Sequence, residues 1–438
     1  MAEFEVRDPI HSRITFDAFE RSIIDHPFVQ RLRYISQLSF LQSYVYPGGV
    51  HDRFSHALGA MHVAGRLFGR MTTRGSALHD RFSKEEREAL RLRVRLAGLL
   101  HDIGHGPFSH TSEIIFPRLE MLPMDWSWWS SRPDRQAKHE DYSVLLIQAL
   151  AREGVLDQDL AQDVASLVHD AVMPSKSFAK FDDRAPTIQK VLKALISGEV
   201  DCDRMDYLLR DSHFCGVVYG HYDLDWLITS LSAREHDGRI IFTISENGVR
   251  AFEDMLLARY HMIDQVYFHK TKAGFTHYLE EAIRGREVDL VIPTDPYQYA
   301  NLRDGQVIER LHEAAKDPSN YWSHHLMRRI APKRIMRLHH ASPRDMGTLA
   351  ELKRRCDEAG VRWFVHSVQG ELSGLSEKAG GVIYVAKKVL GGREYVPMFE
   401  YSDLLQKYNE RIQFTDFFVL REDAQKFQSS LDVRGDIR

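Results

Sequence analysis

A chain of 438 residues with a formal net charge of −4 is long enough to bury a large core and by length suggests two or three structural units. Its slight acidity offers no net attraction to nucleic acid, so any anion site must be local. Three cysteines, Cys202, Cys215 and Cys356, are too few and too badly spaced for a disulfide framework or a cysteine zinc site. No basic-then-apolar leader opens the sequence and no apolar stretch approaches the roughly 18 residues that span a bilayer. A cytoplasmic protein without a membrane partner is expected. The 23 histidines point only weakly to metal or proton-transfer work.

In chain order, Arg53-Phe54-Ser55-His56 opens a predicted helix whose small residues, Ala57, Gly59, Ala60, Ala64 and Gly65, admit close approach of a neighbour. Ser83 and Glu86 have capping-box spacing, and Leu92, Leu96, Leu99 and Leu100 then recur at helical intervals. That helix ends at His101-Asp102. Gly104, Gly106 and Pro107 break it there, leaving His105 and His110 on a turn that can fold back. Trp126, Trp128 and Trp129 lie in a polar segment that reads as a packed loop, a lid or an oligomer contact. His139-Glu140 then begins the apolar run 142–150. Residues 173–186 form a charged, proline-bearing break. Another helix follows at 201–211, with Asp203, Tyr207 and Asp211 on one face at i, i+4 and i+8. A strand pair is suggested at Arg239-Ile240-Ile241-Phe242-Thr243 between glycines, and turn formers recur at 293–299. From Ala331-Pro332 onward strand-like 361–368, 381–389 and 414–420 alternate with helical 345–359 and 403–411. The expectation is a mainly α protein: an all-helical lobe over 1–330, with its catalytic core at about 50–215, and a smaller mixed α/β lobe over 331–438 that packs on, or bridges, subunits.

The density of imidazole and carboxylate at 101–110 has a chemical meaning. Neutral imidazole nitrogen and carboxylate oxygen are the ligands of choice for borderline divalent ions. His101-Asp102 alone reads equally well as a helix end bonded to its own carbonyls. His56 is a third candidate ligand, Asp203 closes the set, and His139 with Glu140 is placed to orient a water or a proton.

Taken together these segments resemble the HD-domain phosphohydrolases, specifically the sterile-alpha-motif and HD-domain deoxynucleoside triphosphate triphosphohydrolases and their bacterial relatives, without the sterile-alpha-motif module. The similarity runs through Asp8-Pro9-Ile10-His11, Gln30 to Leu38, Tyr44 to Gly48, His51-Asp52-Arg53-Phe54-Ser55-His56, the 101–110 segment, His139-Glu140 and Asp203 to Asp211, and reaches Arg259, Tyr267, His269 and Lys270. It implies one divalent transition metal (Mn, Fe, Co, Ni or Zn) on His56, His101, Asp102 and Asp203, with Mg accompanying the nucleotide. It implies His110 as the proton donor to the leaving oxygen, His105 as a phosphate contact, and Glu113, His139 and Glu140 as supports of the proton relay. Arg53, Arg204, Arg259 and Lys270 would meet the triphosphate; Tyr207 would pack under the deoxyribose; Gln37 and Asp211 would bond its 3′-hydroxyl; Tyr267 would add a sugar or phosphate contact. The bland alternatives are core packing for the aromatics and surface ion pairs for Arg204 and Arg259. Asp25, Gln30 and Arg33 match residues that hold an activating nucleotide between subunits, which implies a homo-oligomer, a tetramer or larger.

The implied reaction releases a deoxynucleoside and intact triphosphate, with dNTP-pool control as its setting. Glu113 stands where aspartate is usual, Arg204 where lysine is usual and Ile263 where a substrate-contacting histidine is usual, and Phe4-Glu5-Val6-Arg7 matches the family poorly. Two competing classes remain: another HD-type phosphohydrolase, such as a nucleotide phosphatase or phosphodiesterase, and a non-catalytic nucleotide-sensing scaffold.

Overall fold

The computed structural model describes residues 3–185, 187–339, 343–371, 383–408 and 411–432. The chain is mainly α, as its periodicity predicts. It starts with an antiparallel hairpin, β1 (Glu3–Asp8) and β2 (Ser12–Asp17). Helices then carry the chain to β3 (Leu231–His236) and β4 (Arg239–Ser245), the predicted strand pair.

Four helices frame the site. Arg53–Met71 is capped by Asp52, whose carboxylate accepts from the Ser55 amide at 2.8 Å. Lys84–Leu100 carries the expected capping box, Ser83 and Glu86 each bonding the other's backbone. These two helices pack along their small faces, with Ala60 and Ala64 against Gly98. His139–Arg152 begins at the histidine expected to open it, and Cys202–Cys215 is capped by Asp201 and stopped by Gly216 at φ 68°. The leucine and alanine stripes of all four meet in one core, so polar residues at their ends are held on a rigid frame.

The chain then bends through a π-helical turn, Ile263–Tyr267, where the Phe268 amide reaches back five residues to the Ile263 carbonyl at 3.1 Å. Helix Lys270–Arg284 follows. Beyond it, β5 (Lys333–His339), helix Pro343–Ala359, β6 (Trp363–Glu371), β7 (Ile383–Val389), β8 (Gly392–Pro397), helix Asp403–Tyr408 and β9 (Arg411–Val419) complete the mixed pattern. Of the expected strand 381–389, the first two residues lie outside the described set, as do 409 and 410 of the expected helix 403–411, and Arg411 already belongs to a strand. Apart from the β1–β2 hairpin, the strands sort into two sheets. β5, β9 and β6 form one, while β7 lies parallel to β4 and carries β8 with it, in the order β3-β4-β7-β8. No helix among the described residues is long and apolar enough to cross a membrane.

Candidate metal and catalytic site

Helix Lys84–Leu100 delivers His101 at its C-cap and Asp102 one residue on. His56 comes from the first turn of Arg53–Met71, and Asp203 from the first turn of Cys202–Cys215. The fold brings all four together, each offering one ligand atom within 4.8 Å of the others. His56 Nε2 lies 3.1 Å and His101 Nε2 3.4 Å from Asp203 Oδ1, while Asp102 approaches them at 3.7 and 3.5 Å. Both Nε2 atoms are buried without a hydrogen-bond partner. Their other nitrogens are spoken for: His56 Nδ1 bonds Asp206 Oδ2 at 2.8 Å, and His101 Nδ1 bonds the Gly98 carbonyl at 2.9 Å. The bland reading of His101, a helix end bonded to its own carbonyl, is therefore true of one nitrogen and leaves the other for the cluster. Two orphaned imidazole nitrogens facing two carboxylates suit a borderline divalent ion. Burial opposes ionisation of Asp203, but the facing imidazoles of His101 and His56 outweigh it and hold the carboxyl well below its usual range.

A second group lies beside the first. His105, His110 and His139 gather around Glu113. His105 and His139 stack at 3.8 Å, and the ring of His110 stands edge-on to both. Glu113 Oε1 receives His110 Nδ1 at 2.9 Å and His139 Nδ1 at 2.7 Å. Burial pushes this carboxyl up, yet the two histidines pull it down to about 2. Asp102 links the groups, 3.4 Å from His105 Nε2. Glu140 stands 3.5 Å from His139 Nδ1, with one oxygen buried and unpartnered.

The turn between the groups is braced from outside. Phe108 and Ser109 adopt φ near +60°, a conformation bulky residues avoid. Asp304 receives the Phe108 amide at 2.9 Å and the Ser36 amide at 2.9 Å. The fully buried Arg31 donates to the His105 carbonyl at 2.9 and 2.6 Å, and Tyr299 Oη donates to the Gly104 carbonyl at 2.6 Å. Asp304 and Tyr299 carry no motif, and although Arg31 lies in the matched 30–38 segment, only the folded packing reveals what it does.

A cavity of about 530 Å³ opens from this turn, lined by Gln37, Arg53, His110, Tyr207, Asp211 and Tyr267 among others. Arg53 bridges it to the first group by pairing with Asp102, and its Nε donates to Ser109 Oγ at 2.8 Å. Asp211 is held between His51 Nε2 at 2.7 Å and Tyr267 Oη at 2.8 Å. Gln37 Oε1 is buried and unpartnered. Arg204, Arg259 and Lys270 are not among the lining residues. Arg204 turns to Glu199 at 3.2 Å and to Asp201 at 3.7 Å, in pairs that are largely buried rather than at the surface, and Lys270 is exposed. Lys272 lines the cavity instead, with burial pushing its amine down to about 8. Its spacing matches no motif, so only the cavity discloses it.

A further cavity of about 480 Å³ lies across the cluster, lined by His101, Asp102, Arg135, Lys138, His139, Glu140, His169 and Asp203 among others. Asp25, Gln30 and Arg33 sit near one another at the surface. Asp25 pairs with Arg21 at 3.2 Å, and Arg33 bonds Gln30 at 2.8 Å while lying 3.6 Å over the Phe54 ring. Ile263 is buried at the start of the π turn.

Comparison with known proteins agrees with this arrangement. Residues 53–211 match the HD domain and 222–357 the HD associated region. An uncharacterized protein of Methanocaldococcus jannaschii is 32% identical over 266 residues, 61% of this chain and 46% of that protein. The human deoxynucleoside triphosphate triphosphohydrolase SAMHD1 is 30% identical over 286 residues, 60% of this chain and 42% of that protein. The chain thus spans about half the length of these curated relatives. A crystal structure of a hypothetical protein from Aquifex aeolicus superposes with a TM-score of 0.71 at 27% identity, covering 98% of this chain and all of that one. The chain belongs to the HD-domain family, carries both the domain and its associated region, and is a homologue of the SAMHD1 triphosphohydrolases.

Proposed function

We propose that the chain is a metal-dependent phosphohydrolase that cleaves deoxynucleoside triphosphates to deoxynucleoside and inorganic triphosphate. One observation carries the reading: two buried, unpartnered imidazole nitrogens face Asp102 and Asp203 beside a cavity that joins a basic, histidine-lined end to a Tyr207–Asp211–Tyr267 end. Between His56, His101, Asp102 and Asp203, a bound Mn, Fe, Co, Ni or Zn ion supplies Lewis-acid polarisation of a phosphoryl oxygen and acidifies a water.

The chain's own residues do the rest. Arg53 meets phosphate oxygens with its planar fork of donors, and His105 is a further phosphate contact. His110, most of whose side chain is exposed, anchors Nδ1 on Glu113 and presents Nε2 to the cavity. When charged, that nitrogen gives its proton to the leaving 5′-oxygen. Glu113, ionised across the physiological range, holds the imidazoles of His110 and His139 in the matching tautomer, with Glu140 as a second carboxylate beside His139. Tyr207 crowds the 2′ position of the sugar, and Gln37 and Asp211 bond its 3′-hydroxyl, with Tyr267 holding Asp211 in place. Arg204, Arg259 and Lys270 are outer phosphate contacts, reached as the nucleotide and its Mg settle. The surface group of Asp25, Gln30 and Arg33 belongs to an activating-nucleotide site in a homo-oligomer, and the setting is dNTP-pool control in the cytoplasm.

The test incubates the metal-loaded protein with each of the four dNTPs, singly and mixed, and follows products by chromatography. Deoxynucleoside with triphosphate is expected; orthophosphate or pyrophosphate as sole inorganic product overturns the cleavage position. A second reading, hydrolysis of a phosphodiester, is favoured by the cavity across the cluster, which has room for a second arm of the substrate. Turnover of a dinucleotide but of no dNTP would select it.

A further inference from the structure

The β1–β2 hairpin lies at the start of the chain, far in sequence from the metal cluster, yet its turn reaches the cluster through one fully buried carboxylate. Asp206 Oδ2 receives His56 Nδ1 at 2.8 Å and Arg210 Nε at 2.8 Å; Oδ1 receives His11 Nε2 at 2.7 Å and Arg210 Nη2 at 2.8 Å. Arg210 Nη1 goes on to Asp8 Oδ2 at 2.8 Å. The other Asp8 oxygen receives the Ile10 and His11 amides at 2.9 and 2.8 Å, which shapes the turn that presents His11. His56, Asp206 and Arg210 are each 0% exposed. A side chain at Gly59 would strike Asp206 and come within 2.5 Å of Arg210 Nη2, so the bare glycine lets carboxylate and guanidinium lie flat on the helix that carries His56.

A buried carboxylate with four charge-assisted or imidazole bonds has little freedom to rotate. Because Asp206 accepts, His56 carries its proton on Nδ1, and its Nε2 lone pair is aimed at Asp102 and Asp203. Losing the His11 bond leaves one acceptor of this buried group short and lets the carboxylate shift toward Arg210, loosening its hold on His56.

We propose that the β1–β2 turn is a working part of the metal centre, with Asp8, His11 and Arg210 acting as positioning residues that fix, through Asp206, the tautomer and aim of His56. This rests on the reading of His56 as a metal ligand. Partners of this kind change metal affinity by about 10–100-fold when removed.

The experiment titrates the metal-free full chain with Mn²⁺ against a competing chelator, for wild type and for His11→Ala, His11→Gln, Asp8→Asn and His56→Ala, with circular dichroism melts to certify folding. His11→Ala is expected to weaken Mn²⁺ binding by about 10–100-fold, and His11→Gln, which keeps an N–H donor, to return it close to wild type. A folded His11→Ala chain that binds Mn²⁺ as wild type does overturns the proposal. If His11→Ala fails to fold, Asp8→Asn takes its place under the same criterion. Nitrogen-15 NMR of the Zn²⁺-loaded wild type decides independently: a proton on Nδ1 of His56 is expected, and a proton on Nε2 refutes the argument. A His56→Ala chain that still binds Mn²⁺ in the site overturns the ligand reading itself, an outcome distinct from the others.

Discussion

Replacing Gly104 by alanine probes how tightly the two histidine groups are registered. Its backbone packs on the first turn of helix His139–Arg152, where an added methyl would lie 2.6 Å from the Tyr142 carbonyl carbon and closer still to the His139 oxygen and the Ser143 nitrogen. Ordinary carbon contacts begin near 3.4 Å, so the turn and the helix must part by roughly 1 Å. Every atom met is backbone, and no rotamer change relieves the clash. Parting them also stretches the Gly104 amide to Ser143 Oγ bond, now 3.0 Å, and the Ser143 Oγ to His101 carbonyl bond, now 2.7 Å.

Overpacking of this kind costs about 1–3 kcal/mol, and each strained hydrogen bond adds about 1 kcal/mol. Moving His139 by roughly 1 Å against His105 and Glu113 costs about 10²-fold in kcat. The assay is dNTP turnover beside a thermal melt and metal content by plasma mass spectrometry. A folded, metal-loaded protein with a lowered melting temperature and turnover down about a hundredfold is expected. Wild-type turnover with a wild-type melt refutes the argument that the close approach at Gly104 registers the groups.

His101→Ala or Asp203→Ala is expected to abolish both metal retention and turnover, whereas His110→Ala keeps the metal and loses most turnover; activity without bound metal contradicts the ligand set. A separate test concerns stability and pH. His277, stacked at 3.7 Å on Phe364, has its imidazole pushed by burial down to about 4. Between about pH 4 and the usual 6.5 the unfolded chain holds a proton that the folded chain lacks, so stability rises with pH across that window. The contribution is complete above about 6.5, is lost on the way down to about 4, and amounts to up to about 3 kcal/mol. His277→Phe is expected to flatten this part of the denaturant-measured stability profile; an unchanged slope contradicts the assignment.

The four residues of the candidate metal cluster were legible in the sequence because each sits near the end of a predicted helix: His56 in the helix that Arg53 opens, His101-Asp102 ahead of the Gly-Pro break, and Asp203 early in 201–211. Ligand chemistry suggested joining them across some 150 residues and the family resemblance supported it, since helical periodicity places a residue on its own helix and not opposite another. The features that stayed hidden depend on tertiary contact alone. Lys272 shares no pattern with the other cavity residues, Tyr299 and Asp304 look like ordinary surface or packing residues until the 101–110 turn settles on them, and Arg31, though inside the matched 30–38 segment, shows its role only in that contact. Arg204 shows the reverse. The resemblance implies a phosphate contact, whereas the folded chain pairs its guanidinium with Glu199 and Asp201, neither of which the resemblance singles out. The parallel pairing of β7 with β4 was equally out of reach, because alternation within a strand carries no address for a partner more than a hundred residues away.

The π turn at Ile263–Tyr267 holds one residue more than an α-helical course would need, and that surplus decides where Tyr267 points. Deleting a single residue there would let the segment relax to ordinary winding, swinging the downstream chain by about 100° around the axis. The phenol would leave Asp211, and the face of helix Lys270–Arg284 that lines the cavity would turn with it. Insertions and deletions at this bend should therefore be far less forgivable than substitutions, so that the length of the segment, more than its letters, is the quantity selection has to guard.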